Sequence, residues 1–232
     1  DADGLRAVED RAITDLVAKQ KAAGLHVITD GEFRRAYWHL DFMWGLHGIA
    51  KATSPVAVKA SAGADFVETA AVNGEISGED HPFVGHFRFV KALEDDSTIA
   101  KQTMPSPAQT LFVLQAGCAE KFPNPYSSDD RLAEALVAAY VQVLRDLHEA
   151  GCQVVQFDDC TWGMLVSEAF HDSVFGRDTL SVQHQYDDIN NAVIAAAPPH
   201  MTTHPPRCRR HYRPHSFPSR RPRHVAGRPV RH

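Results

Sequence analysis

At 232 residues, with a formal net charge of −5 and a mean hydropathy of −0.30, the chain has the size and polarity of one large globular domain, and no apolar run in it is long enough to cross a bilayer as a helix. The opening residues, DADGLRAVEDRAITDL, carry acids where a secretory leader needs a basic start and an apolar middle, and the four cysteines form no CxxC pair, so a cytoplasmic protein without a disulfide framework is expected. The charge is unevenly spread: nine of the 24 lysines and arginines lie in Pro199 to His232, a segment without a single acid, which leaves 15 basic residues against all 29 acids in the rest.

The first predicted element is a helix, because Leu5, Val8, Ala12, Ile13, Leu16 and Val17 recur at helical spacing, and Gly24 ends it. A short strand, Leu25 to Thr29, then stops at Asp30-Gly31-Glu32, followed by two arginines and the aromatic stretch AYWHLDF. Val67 to Ile76 reads as a strand and turn, HPFVGHFRFVKAL as a short helix, and TIAKQTM as a strand running into a bend. Pro105 and Pro107 place Ser106 and Ala108 in a loop at that strand's end. Ser128-Asp129-Asp130 caps a second long helix, whose apolar face is Leu132, Leu136, Tyr140, Val143, Leu144 and Leu147. Gly151 stops it, and CQVVQF gives a buried strand that also ends on acids, Asp158-Asp159. DDINNAVIAA is one more helix, and His200 to Thr203 begins a strand.

Twice, then, the chain writes helix, Ala-Gly, apolar strand, acids. Helices alternating with short apolar strands imply a parallel sheet covered by helices, and in such sheets ligands gather at the carboxyl ends of the strands. The expected architecture is an α/β fold of the (β/α)8 TIM-barrel type, incomplete, over residues 1–198, with 199–232 as a separate basic tail. That tail has almost no apolar periodicity and is expected to be disordered.

Strand alternation puts Gln156 and Asp158 on one side and Phe157 and Asp159 on the other. Asp158 is the candidate ligand-binding acid, while Asp159 has capping of the following helix as its competing role. Glu32 either binds a ligand or pairs with Arg34 or Arg35. Asp41, set among Trp38, Leu40 and Phe42, needs a cationic partner, and a bound amine would be one. His204 and Cys208, spaced HxxxC, are the candidate metal ligands, since imidazole and thiolate are the soft ligands zinc takes.

VITDGEFRRAYWHLDF, TMPSPA and AGCQVVQFDDCTW together resemble the short, single-barrel relatives of cobalamin-independent methionine synthase, similar to that enzyme's C-terminal catalytic domain, from about Leu5 to about Thr203. The resemblance implies zinc as cofactor and methyl transfer from a methylated folate to the thiol of homocysteine. It implies that Asp158 binds the homocysteine ammonium, with Asp41 or Glu32 as the second acid. Ser106 would line the pocket, and the aromatics, Trp38 among them, would wall it or face the pterin.

The zinc motif of the family, His-x-Cys followed by Arg-Gly-Asn, is replaced here by HPPRCRRHYR, and Gly227 falls where a ligand glutamate is expected. By the resemblance, the family's first strand, with its Gly-Ser turn, would lie ahead of Asp1, and the last zinc cysteine beyond His232. A change of reading frame near Thr203 accounts for both the composition of the tail and the loss of the motif, so a damaged zinc site is expected. Two other readings compete. One keeps the barrel and changes the thiol, for instance to coenzyme M, whose sulfonate would prefer arginines to acids. The other makes the basic tail a nucleic-acid tether.

Overall fold

The computed structural model describes residues 1–55, 66–118, 120–165 and 178–204. Four strands, β1 (Val27–Ile28), β4 (Ile99–Pro105), β5 (Val154–Asp158) and β6 (Thr202–His204), form one parallel sheet in the order β1-β4-β5-β6. Two longer strands, β2 (His47–Pro55) and β3 (Phe66–Ser77), pair antiparallel as a separate ribbon. The helices are α1 (Ala2–Ala22), α2 (Leu40–Gly45), α3 (Pro82–Lys91), α4 (Pro107–Ala116), α5 (Asp129–Glu149), α6 (Thr161–Leu165) and α7 (Thr179–Ala195). This is the parallel α/β arrangement expected, and the four described strands leave the barrel unclosed.

The helix α5 matches its sequence signature residue by residue. Ser128 caps it by accepting from the Arg131 amide, and Leu132, Leu136, Tyr140, Val143, Leu144 and Leu147 are all buried. The face of the sheet that carries Gln102, Met104, Val155 and Phe157 is buried, with Tyr140 6.4 Å from Phe157, ring centre to ring centre. At the hub of the core, Phe42 meets His81 at 4.5 Å, Tyr140 at 4.9 Å and Phe83 at 5.5 Å, joining α2, α3 and α5.

Three expectations change. The Pro-rich bend is a helix start: Ser106 is the N-cap of α4, Pro107 its first residue, and the Ser106 hydroxyl accepts from the Gln109 amide at 2.9 Å. Proline fits there because the first helical amide has no partner to lose, and Ser-Pro-Ala-Gln has the spacing of a capping box. The β2 strand has no counterpart in the sequence reading; its start is irregular at Gly48, whose φ of 72° and close approach to the Glu75 carbonyl leave no room for a side chain. The N-terminal turns of α1 leave Leu5 and Val8 exposed, and only Ile13 and Val17 are buried. The strand expected from His200 to Thr203 is present as Thr202–His204, which pairs with β5.

His81 provides a pH test of this core. Its Nδ1 accepts from the Phe83 amide at 3.2 Å, and its Nε2 donates to the Phe42 carbonyl at 2.9 Å, so the neutral ring fills both sites. Burial pushes its pKa down to about 4. The unfolded chain therefore binds this proton first: the stabilisation is complete above about pH 6.5 and is lost as pH falls toward 4, roughly 3 kcal/mol for a shift of this size. His81→Asn, which can still cap α3, is expected to flatten the loss between pH 6.5 and 4 in urea unfolding. An unchanged slope would assign the acid sensitivity to other groups.

Candidate functional site

The register of the sheet aligns Thr103 of β4, Gln156 of β5 and His204 of β6 in one row, with Pro105 opposite Asp158 one alternation further on. Residues two apart share a face, so Lys101, Thr103, Gln156, Asp158, Thr202 and His204 belong to the face opposite the buried apolar one. Parallel strands are usually apolar on both faces. Here, apart from Ile99, Pro105 and Val154, the face of Lys101 and Gln156 is polar and partly exposed, with Thr202 and His204 exposed outright.

Two acids are held on this face, each by a neutral side chain backed by a cation. Glu32, at a φ of 62° in the turn after β1, accepts at Oε1 from the Thr103 hydroxyl at 2.7 Å and pairs with Arg35 at 3.0 Å. The Arg35 side chain is only 2% exposed; it donates to the Thr103 carbonyl and hydroxyl and lies 4.3 Å over the Phe83 ring. On the neighbouring strand, Asp158 accepts at Oδ1 from the Gln156 amide at 2.8 Å, and the Gln156 carbonyl oxygen accepts from Lys101 at 2.7 Å. Glu32 and Asp158 thus share the sheet face, tied to side chains in register on adjacent strands.

The other candidates lie elsewhere. Asp41 sits in the first turn of α2, where its carboxylate accepts from the Tyr37 amide at 2.7 Å. That helix packs against the β2-β3 ribbon and α3. Trp38 is half-buried, its ring tilted against His39 at 4.7 Å. Ser106 is fully buried, and besides capping α4 its hydroxyl donates to Asp159 at 2.5 Å. Phe42 is fully buried in the core, so it forms no pocket wall. His204 stands exposed at the carboxyl end of β6; Cys208 lies outside the described residues.

Asp159 takes the capping role. It is buried, accepts from the Thr161 amide at 2.7 Å and from the Thr161 hydroxyl, and ties the ends of β4 and β5 together through Ser106. Burial raises its pKa, partly offset by those donors. Sequence reasoning missed Lys101 and Thr103, whereas Arg35 is one of the two partners it offered for Glu32. The available signal was alternation: Lys101 and Thr103 repeat the polar phase of Gln156 and Asp158, which an ordinary buried parallel strand would not carry.

Among the described residues no three His, Cys, Asp or Glu side chains converge as a metal site. Nor is any described helix long and apolar enough to cross a membrane.

Known proteins resemble this chain in sequence and in fold. The family described as cobalamin-independent synthase, catalytic domain, matches residues 4–181. The Bacillus subtilis protein YxjG is 32% identical over 204 residues, 87% of this chain and 52% of its own length; YxjH is 28% identical over 214 residues, 91% and 55%. A Listeria monocytogenes protein assigned as a vitamin-B12 independent methionine synthase superposes with a TM-score of 0.68 at 31% identity, over 86% of this chain and 54% of that one. A B12-independent methionine synthase from Shewanella, solved with selenomethionine, shares the fold at 19% identity, with a TM-score of 0.51 over 71% and 48%. The chain spans about half the length of the relatives it matches.

Proposed function

Because this chain belongs to the cobalamin-independent synthase catalytic-domain family, we propose that its polar sheet face binds a sulfur amino acid by its ammonium, homocysteine as methyl acceptor and methionine as product, with a methylated folate as donor. The observation that carries this reading is the pairing of Glu32 and Asp158 on one face. Each has one carboxylate oxygen occupied by a protein donor and the other, Oε2 or Oδ2, without a hydrogen-bond partner among the described residues. Two such oxygens suit an ammonium, which has three donors and no acceptor. The Shewanella relative's selenomethionine is an amino acid of this class, with selenium in place of the methionine sulfur.

In the transfer, the sulfur–methyl bond forms as the methyl–nitrogen bond of the folate breaks, and that nitrogen takes up a proton. Gripping the ammonium on two strands fixes the amino acid so that its sulfur arm is directed along the sheet end, a contribution of orientation. Zinc, when bound, would supply the deprotonated thiol. His204 is a single candidate ligand among the described residues, and one ligand does not make a zinc site. The coenzyme M reading loses support, since Arg34 is engaged with Glu9 and Asp10, and Arg35 with Glu32.

The test is isothermal titration of the purified protein with L-methionine and with 4-(methylthio)butanoate, which lacks the amino group. The expected result is that L-methionine binds at least about thirtyfold more tightly, in line with two charge-assisted contacts. Equal affinities would overturn the reading.

A further inference from the structure

We infer that Lys101 and Gln156 are positioning residues that orient Asp158, a role that rests on the ammonium-binding reading above. Lys101 donates to the Gln156 carbonyl oxygen at 2.7 Å, and the Gln156 amide nitrogen donates to Asp158 Oδ1 at 2.8 Å. An ammonium offers only donors and a carboxylate only acceptors, so the amide between them has a single satisfied orientation. Flipping it would set nitrogen against nitrogen and oxygen against oxygen. The lysine charge thereby fixes the glutamine, and the glutamine occupies Oδ1 and leaves Oδ2 for a ligand. Lys101 has no carboxylate in ion-pair range among the described residues, so its side-chain contact is the Gln156 amide oxygen. Across the row, the Thr103 hydroxyl accepts from Arg35 at 3.0 Å and donates to Glu32 at 2.7 Å. A cation, a neutral side chain and an acid are thus grouped at Thr103 as well, although there Arg35 also pairs with Glu32 directly.

Two measurements on the full chain test this. In the first, L-methionine and 4-(methylthio)butanoate are titrated into Lys101→Met, Lys101→Arg and Gln156→Glu. Lys101→Met is expected to weaken L-methionine about tenfold and leave the desamino compound unchanged. Lys101→Arg, which still offers only donors, is expected to stay within about twofold of the parent. Gln156→Glu keeps the shape but has no donor for Asp158, and carries the test if Lys101→Met does not fold. Equal weakening of both ligands, or of neither, would overturn the role.

The second measurement needs no ligand. The side-chain amide resonances of Gln156 are expected to move in both Lys101→Met and Asp158→Asn, and a signal indifferent to either change would overturn the relay. A parent protein that does not discriminate the two ligands would refute the ammonium reading instead, while the amide resonances would still judge the relay.

Discussion

Phe42→Ala is expected to destabilise the chain by roughly 3–5 kcal/mol, the range for truncating a large buried aromatic. Phe42 is fully buried and touches three aromatic rings on two other helices. The cavity would open between α2, α3 and α5, and Tyr140, which Phe42 abuts, holds the end of β4 by donating to the Pro105 and Ser106 carbonyls at 3.1 Å. Loss of packing there is transmitted to the strand end that precedes the site. For a chain of this length the melting temperature should fall by about 10 °C. Phe33, 49% exposed and only nine residues earlier, is the internal control: Phe33→Ala should stay within about 0.5 kcal/mol. Similar losses for the two variants would mean the aromatic hub has been misplaced.

The second large effect concerns the two acids. Asp158→Asn and Glu32→Gln are each expected to weaken L-methionine about tenfold, a discounted value because both carboxylates are partly solvated. Since one ammonium is shared, the double variant should lose at least as much as either alone. The two differ in stability. Glu32→Gln leaves the Arg35 guanidinium, 2% exposed, without its ion-pair partner, and about 1–3 kcal/mol should be lost. Asp158→Asn strands no buried cation and should melt close to the parent. Calorimetric titration alongside urea unfolding separates the two effects; a Glu32→Gln protein as stable as Asp158→Asn would show that Arg35 does not depend on this acid.

Much of the fold was legible because two elements announce themselves. The α5 face and the run CQVVQF carry periodicity strong enough to fix both helix and strand, and Gly151, at φ 88°, lies where the helix stops. The acids at the strand ends followed from the same grammar. What was not legible depends on contacts between distant segments. Choosing Glu32 over Asp41 for the sheet face required the Thr103 hydroxyl, 71 residues along the chain, and no local pattern connects them. The aromatic stretch was read as one unit, yet its rings divide: Phe42 goes to the core, Trp38 stays half-buried, and Tyr37 is exposed beside the ribbon, 5.9 Å from Trp44. The loop expected at Ser106 is a helix start, because proline, a breaker inside a helix, is a starter at the first position that Pro107 occupies. Cys208 and the rest of residues 205–232 lie outside the described residues, so the expected change of frame rests on the composition of the tail and the loss of the zinc motif.

The account stands on Glu32 and Asp158 receiving one ammonium between them. A crystal structure of the chain with L-methionine measures this directly: the amino nitrogen should lie within hydrogen-bond distance, about 3.2 Å or less, of Glu32 Oε2 and Asp158 Oδ2. An amino nitrogen seated instead on Asp41, or anywhere off the Thr103–Gln156 row, would contradict it.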